Sequence, residues 1–382
     1  MRVLHLVKTS DGARWAAEQV KVLVREGHEI GVILPSPRGK MLNAWRSSGA
    51  KLYFGNVELP VKRPWEYNKR RTFLNEVVED FRPELVHSHF FSTTILARQV
   101  LKLPVAFQVP GPLHMESALF KKWDLMSARP NDFWIASSHA IRELYLNEGV
   151  PGDRVGMSYY GNEISDYDTK SLGLRKELKF SGDDYIVGNI SYFYPPKKYL
   201  FQTSGLKGHE LMFEGLGLIK NRSIKGVFWG EQWGGSKSYE KKLQSLCPIN
   251  CQMPGALKPF EVSRGWKTMD VCIHMPYSEN CGGVLEPLLH EVPVIACNVG
   301  GLSELIVNNK TGLLVERASQ NCSDAIQYAY KNRERMQNMA VLGSRLARKA
   351  FDVNRTAKEI STIYREGLNA FNRSLFYSKE LL

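Results

Sequence analysis

The feature that most constrains this chain is a rhythm, in which short β-branched runs alternate with amphipathic helical patterns along nearly its whole length. Val3–Val7 reads as a strand, Arg14–Glu26 as an amphipathic helix ended by Gly27, and Glu29–Leu34 as the next strand. Further strands are predicted at Lys51–Phe54, Glu84–His87, Val105–Val109 and Phe133–Ala136, with helices between most of them. That is the βαβα pattern of a parallel, doubly wound sheet, so the fold class is α/β. The rhythm weakens across Tyr159–Gly182, where Gly161, Asn162, Gly173 and Gly182 punctuate mixed charge. It resumes with Tyr185–Ile190, Gly226–Trp229, Asp270–Met275, Val292–Ala296 and Gly312–Val315. Two Rossmann-like halves joined near 160–182 are expected, with Arg355–Phe371 as a long closing helix.

Composition removes several classes. At 382 residues there is room for two or three domains with real cores. No stretch approaches the roughly 18 uninterrupted apolar residues of a spanning helix, and Val3–Val7 is too short for a signal peptide's apolar region. The six cysteines, all between Cys247 and Cys322, make no disulfide scaffold and fit a reducing cytosol. Cys247 and Cys251 have a possible metal spacing but lack a second ligand pair nearby, so buried thiols are expected. Net charge is +12, shared evenly between residues 1–160 and the remainder. Such a field suits nucleic acid, an anionic membrane face or phosphate-bearing substrates, and charge alone does not choose. No P-loop, GxSxG or HExxH pattern occurs, and Asp11-Gly12-Ala13-Arg14 lacks a dinucleotide fingerprint.

In parallel sheets ligands sit beyond the carboxyl ends of the strands, against helix N-termini with unpaired amides. The strongest candidate there is Pro276-Tyr277-Ser278-Glu279-Asn280-Cys281-Gly282-Gly283-Val284-Leu285-Glu286, which follows one buried strand and precedes another. Paired glycines allow a bulky anion to approach a helix start. Glu286, one turn further in, would repel a phosphate and suits the hydroxyls of a ribose; the bland alternative is an ordinary helix start with a surface glutamate.

This stretch, continued through Pro293–Ala296 and Asn298–Ile306, resembles the nucleotide-sugar signature of the retaining glycosyltransferases of family 4, which have the GT-B fold. The similarity extends to Lys310–Val315, to Gly205-Leu206-Lys207-Gly208-His209-Glu210, to Pro83–His89 and to the loop Ser10–Arg14. The resemblance implies an N-terminal acceptor domain (1–165), a C-terminal nucleotide-sugar domain (166–354) and a closing segment (355–382) crossing back to the first. It implies that Lys207 holds the donor diphosphate, where an ammonium offsets charge on the leaving group. Lysine at a helix start is unfavourable unless an anion offsets it, which favours that role over a merely solvated one. By the same resemblance Glu286 meets the ribose, Gly282, Gly283, Val284 and Leu285 offer amides to the phosphates, and Gly12 lets the N-terminal loop approach the donor.

Three departures stand out. The first glutamate of the family's E-x7-E falls on Ser278; either Glu279 takes its role or Ser278 makes a weaker contact with the transferred sugar, and Glu279 is preferred. The family's second diphosphate cation, an arginine, is missing at Asn189–Tyr192; Lys197 or Lys198 in the inserted Phe193–Ser204 could replace it, an exposed basic loop being the alternative. The family's sugar-contacting histidine is replaced by Pro110, and His114 is expected to reach the same space, ahead of His87 and His89.

Two basic aromatic stretches, Val61–Arg71 and Leu119–Trp123, suit either an anionic leaflet or a solvated face. The expectation is thus a retaining hexosyltransferase moving sugar from a UDP- or GDP-type donor to a carbohydrate or lipid-linked acceptor hydroxyl, in surface polysaccharide or glycolipid assembly. It would be cytoplasmic or peripheral on the inner membrane face, with no cofactor, no essential metal and no nucleic-acid partner. The alternatives are another GT-B enzyme, such as an epimerase or phosphorylase, and an inactive basic binding protein.

Overall fold

The computed structural model describes residues 1–164, 173–234 and 237–380, with side chains up to residue 369. The chain divides into two compact units, one comprising Met1–Glu163 together with the chain from Ala350 onward, the other Ile164–Lys349. Each is a parallel sheet wrapped by helices, the architecture of a GT-B protein.

The first unit holds seven strands: β1 Arg2–Leu6, β2 Glu29–Leu34, β3 Lys51–Phe54, β4 Leu85–Ser88, β5 Val105–Val109, β6 Phe133–Ala136 and β7 Val155–Met157. Their order is β3-β2-β1-β4-β5-β6-β7, every pair parallel. The central strands are buried on both faces, which is why they read as continuous apolar runs rather than alternating ones. The helix Arg14–Arg25 turns Ala16, Ala17, Val20 and Leu23 inward and stops where Gly27 takes a φ of 87°. The long last helix, Val353–Glu380, lies against it through Val353, Ala357, Ile360 and Tyr364, spaced four, three and four residues apart on one stripe. Fully burying one such aliphatic side chain contributes about 1.5–3 kcal/mol.

The second unit holds β8 Tyr185–Ile190, β9 Ile224–Trp229, β10 Cys251–Gly255, β11 Val271–His274, β12 Val294–Cys297 and β13 Leu313–Val315, in the order β10-β9-β8-β11-β12-β13. Strand order reverses between β8 and β11, so the carboxyl ends of these two strands flank the crevice where doubly wound sheets bind ligands. Two strands escape a pattern search. β7 is a three-residue edge strand, and β10 is an edge strand with Pro254 and a register irregularity, neither carrying a buried apolar run.

Candidate active site

The second unit builds its site at that crevice. Gly208 caps the helix His209–Gly217 with a φ of 75°, and a Cβ there would lie 1.8 Å from the Met275 carbonyl oxygen. Only glycine meets both demands, and it seats Lys207 beside the loop that follows β11. Lys207 Nζ makes an ion pair with Glu279 Oε2, the side chains being 17% and 10% exposed. Glu279 is therefore the anion that offsets a lysine at a helix start.

The same carboxylate oxygen lies 2.9 Å from His274 Nε2. Asn189 Nδ2 donates to the Ile273 carbonyl at 2.8 Å and lies 3.4 Å from His274 Nδ1. That leaves the imidazole proton on Nε2, pointing at Glu279. Burial would push the Glu279 carboxyl up, but the Lys207 ammonium and the His274 hydrogen bond hold it well below the usual carboxylate range. Burial in turn keeps His274 neutral, its pKa lowered despite the neighbouring carboxylate.

The paired glycines have different reasons. A Cβ on Gly283 would lie 2.0 Å from His274 Nε2, so this glycine makes room for the histidine. A Cβ on Gly282 would meet nothing within 4 Å, so this position faces open space at the start of the helix Gly282–Leu289. Cys281 stands at the N-cap with its Sγ turned to the Gly301 carbonyl rather than to the helix amides, leaving first-turn amides for an anion. Val284 and Leu285 point their side chains into the core, so they offer the outside only backbone. Glu286 accepts a hydrogen bond from Trp266 Nε1 at 3.2 Å, which fixes one oxygen. The Ser278 side chain is buried and its Oγ has no hydrogen-bond partner among the described residues.

Several supports were not legible in the sequence. Glu210 accepts from the Gly205 amide at 3.1 and 3.0 Å and from Tyr239 at 2.6 Å, bracing the Lys207 loop. Arg317 lies 3.5 Å above the Tyr277 ring and donates to the carbonyls of Met275 and Pro276, each at 3.2 Å. The Glu210–Tyr239 and Arg317–Pro276 contacts join positions 29 and 41 residues apart, and neither has a motif. Lys198 is exposed on a single 3₁₀ turn, Lys198–Leu200.

The first unit places its predicted residues differently. Its N-terminal loop lines a cavity of about 390 Å³ with Lys8, Ser10, Asp11, Ser36 and Arg38. The left-handed residue in that loop is Ala13, with φ 63°, and not Gly12, whose added Cβ would make only an ordinary contact with Thr9. Gly39 is the glycine that close approach demands there, because its Cβ would lie 2.3 Å from the Ser10 carbonyl oxygen.

His114 is buried, its Nε2 lying 3.2 Å from Asp124 Oδ2 and 3.0 Å from the Tyr145 hydroxyl. These contacts anchor the ring through Nε2 in the packing of the first unit. His87 and His89 join His5 in a buried group whose ligand atoms lie within 4.8 Å of one another. His87 and His89 stack with ring centroids 4.2 Å apart, and His5 Nδ1 lies 3.0 Å from His89 Nε2. Tyr364 bonds to His87 and lies 3.3 Å from His5 Nε2. Stacked rings whose nitrogens bond to one another do not aim lone pairs at a common ion, so the arrangement is that of a hydrogen-bonded core network.

The basic aromatic stretches also divide. Trp65 is 75% exposed and Val61, Leu119 and Met126 are exposed, whereas Phe120 packs tilted and Trp123 edge-on against Phe91, and Arg70 bonds to Asn56 and the Glu58 carbonyl. All six cysteines are free thiols. No helix among the described residues is long and apolar enough to cross a membrane.

Comparison with known proteins bears on both units. Residues 12–161 match the family described as Glycosyltransferase Family 4, and residues 199–343 that described as Glycosyl transferases group 1. A D-inositol 3-phosphate glycosyltransferase of Paenarthrobacter aurescens is 27% identical over 174 residues, 43% of this chain and 42% of that protein. The matched stretch thus spans less than half of that relative's length. The Anabaena protein Alr3699/HepE, solved in complex with UDP and glucose, superposes with a TM-score of 0.76 at 16% identity, covering 96% of this chain and 99% of that one. A glycosyltransferase from Rickettsia africae superposes with a TM-score of 0.75 at 17% identity, covering 96% and 98%.

Proposed function

Since the chain belongs to the group 1, family 4 glycosyltransferases, we propose that it is a retaining enzyme that moves a sugar from a nucleoside-diphosphate donor to an acceptor hydroxyl. The observation that carries this reading is the convergence of the Lys207 ammonium, the Glu279 loop and the glycine-opened helix Gly282–Leu289 at the strand-order reversal of the second unit. In this reading the diphosphate lies against Lys207 and the first-turn amides of Gly282 to Leu285. Glu286, oriented by its hydrogen bond from Trp266, takes the ribose. Glu279, with Ser278 beside it, faces the transferred sugar.

Retention in a site whose one well-placed carboxylate is bound to lysine and histidine favours front-side displacement. The bond from the anomeric carbon to the leaving phosphate breaks as the acceptor oxygen bonds to the same face. The acceptor's proton passes to the departing phosphate oxygen. The protein's share is positioning and charge stabilisation: Lys207 and the helix amides meet negative charge as it grows on the diphosphate. These groups supply the positive field, and the reaction is proposed to need no metal.

The donor is proposed to be of UDP or GDP type, in line with the UDP and glucose of the Anabaena neighbour. The acceptor is a carbohydrate or lipid-linked alcohol of surface polysaccharide or glycolipid assembly. Docking on an anionic inner membrane face is supported by Trp65, Val61 and Leu119 standing exposed near Lys62, Arg63 and Lys122. Co-sedimentation with anionic liposomes tests that part, and equal recovery with and without vesicles removes it.

The central test is a thermal-shift screen of UDP- and GDP-sugars, since a true donor stabilises the fold by mass action, about 2.7 kcal/mol at a hundredfold excess over Kd. Glu286→Ala should erase most of the shift while leaving the unliganded Tm nearly unchanged. A full shift in that variant would remove Glu286 from the site.

A further inference from the structure

Strand β8 does not end cleanly at Ile190. The Ser191 amide donates to the Trp229 carbonyl at 3.0 Å, Phe193 to Glu231 at 2.9 Å and Trp233 to Phe193 at 3.2 Å, so the chains after β8 and β9 stay zipped beyond the sheet. Extended chain alternates its side chains. Phe193 turns inward, its ring centroid 4.9 Å from that of His209, and Tyr192 and Tyr194 fall on the other face. There they meet Trp233: Tyr192 stands edge-on to it at 4.9 Å and 77°, while Tyr194 is inclined by 32° at 5.9 Å. Tyr192 and Trp233 remain 37% and 41% exposed, although rings this large are ordinarily covered.

We propose that Tyr192, Tyr194 and Trp233 form an aromatic wall that stacks on the transferred sugar of the donor, a subsite resting on the nucleotide-sugar reading above. The wall stands at the carboxyl ends of β8 and β9, beside the strand-order reversal. It is tied to the anion-binding loop by the Leu206 amide, which donates to the Tyr194 carbonyl at 3.1 Å one residue before Lys207. It is also near the carboxylate assigned to the sugar, because the Tyr194 phenol, raised to about 12 chiefly by burial, feels the charge of Glu279 as well. A pyranose presents hydroxyls around its edge and C–H bonds on its faces. Glu279 and Ser278 suit the edge, and the wall suits a face. Ring shape and the orientation of axial groups would then decide which sugars lie flat, making these residues specificity determinants.

The experiment compares two ligands on one protein. Calorimetric titration uses whichever of UDP-glucose, UDP-N-acetylglucosamine and GDP-mannose shifts the wild-type Tm most, against its own nucleoside diphosphate. Trp233→Ala and Tyr192→Ala should weaken the nucleotide sugar about three- to tenfold and leave the nucleoside diphosphate within about twofold, whereas Trp233→Phe should keep most of the affinity. Equal weakening of both ligands would mean that the rings serve the base or phosphates, and unchanged affinity for both would mean packing only; either overturns the proposal. If the wild type binds none of the three nucleotide sugars, the donor reading fails first and the wall falls with it. Tm of each unliganded variant confirms folding.

Discussion

Asp124 in the first unit and Glu279 in the second are each a carboxylate held by a cation and a histidine inside a parallel α/β layer. Arg98 Nη1 lies 2.7 Å from Asp124 Oδ1, and the oxygens of Asp124 are further engaged by His114, Tyr145 and Trp134. Burial would raise the Asp124 carboxyl, but Arg98 and these hydrogen bonds hold it down to about 2. Glu279 is held low by the same kinds of partner. The difference is access. Arg98 and Asp124 have fully buried side chains, while Lys207 and Glu279 retain some exposure and stand beside Gly282, which faces open space. A depressed carboxylate pKa therefore marks a charge network in either case, and only the approach to it separates a structural cluster from a reactive one.

The largest effect expected from this contrast is on folding. Asp124→Ala leaves the buried Arg98 guanidinium with only Asp132, 3.6 Å from its Nε, as counter-ion and should cost about 3 kcal/mol, read by denaturant unfolding. If stability hardly changes, the closed network is not what it is taken to be. Lys207→Ala should do the opposite, lowering turnover about 10²–10³-fold, the range for removing one group that stabilises transition-state charge. Its Tm should fall by less than that of Asp124→Ala, because the pair is partly exposed, and its KM should change less than its kcat.

Acidification should weaken both units, the first through His5, His87 and His89 and the second through the buried His209 and His274. Burial lowers the pKa of His5 to about 3 and those of His87 and His89 well below the ordinary value. The unfolded chain takes up protons below about 6.5 that the folded core refuses, so stability is full above that pH and falls as pH drops toward 3. Tm measured from pH 7.5 to 5 should decline, and a His89→Gln variant should show a shallower slope even if its Tm is lower at every pH. The smallest effect belongs to Trp266→Phe, which removes the hydrogen bond to Glu286 and should weaken donor binding by about 0.5–1.5 kcal/mol in calorimetry.

The central strands and the glycine-opened helix were legible because each is written in a short contiguous pattern. β1, β8 and β11 are apolar runs flanked by polar turns, and Gly282-Gly283 with Glu286 is a local spacing. Edge strands β7 and β10 lack that signal because only one side of each is paired and little of either is buried. Arg317 and Trp266, and the contacts of His274 with Asn189 and of Glu210 with Tyr239, join residues brought near by crossovers, so no local spacing announces them. The anchoring of His114 is hidden for the same reason, because Asp124, ten positions on, and Tyr145 meet its Nε2 only in the fold.

One seam in the first unit has a wider consequence. Asn162 donates its amide to the Phe351 carbonyl at 2.7 Å, and the Val353 amide donates back to Asn162 at 3.2 Å. Gly161 permits this, since a Cβ there would lie 2.5 Å from the Val353 Cα. The outgoing and returning chain are thus stitched together where the second unit begins and ends. Topologically the second unit is a cassette spliced into a loop of the first, its two ends already neighbours. Holding those ends together removes most of the loop-closure entropy that such an insertion would otherwise cost, so the cassette is free to vary in sequence, or be exchanged for another, without unravelling the sheet that carries it.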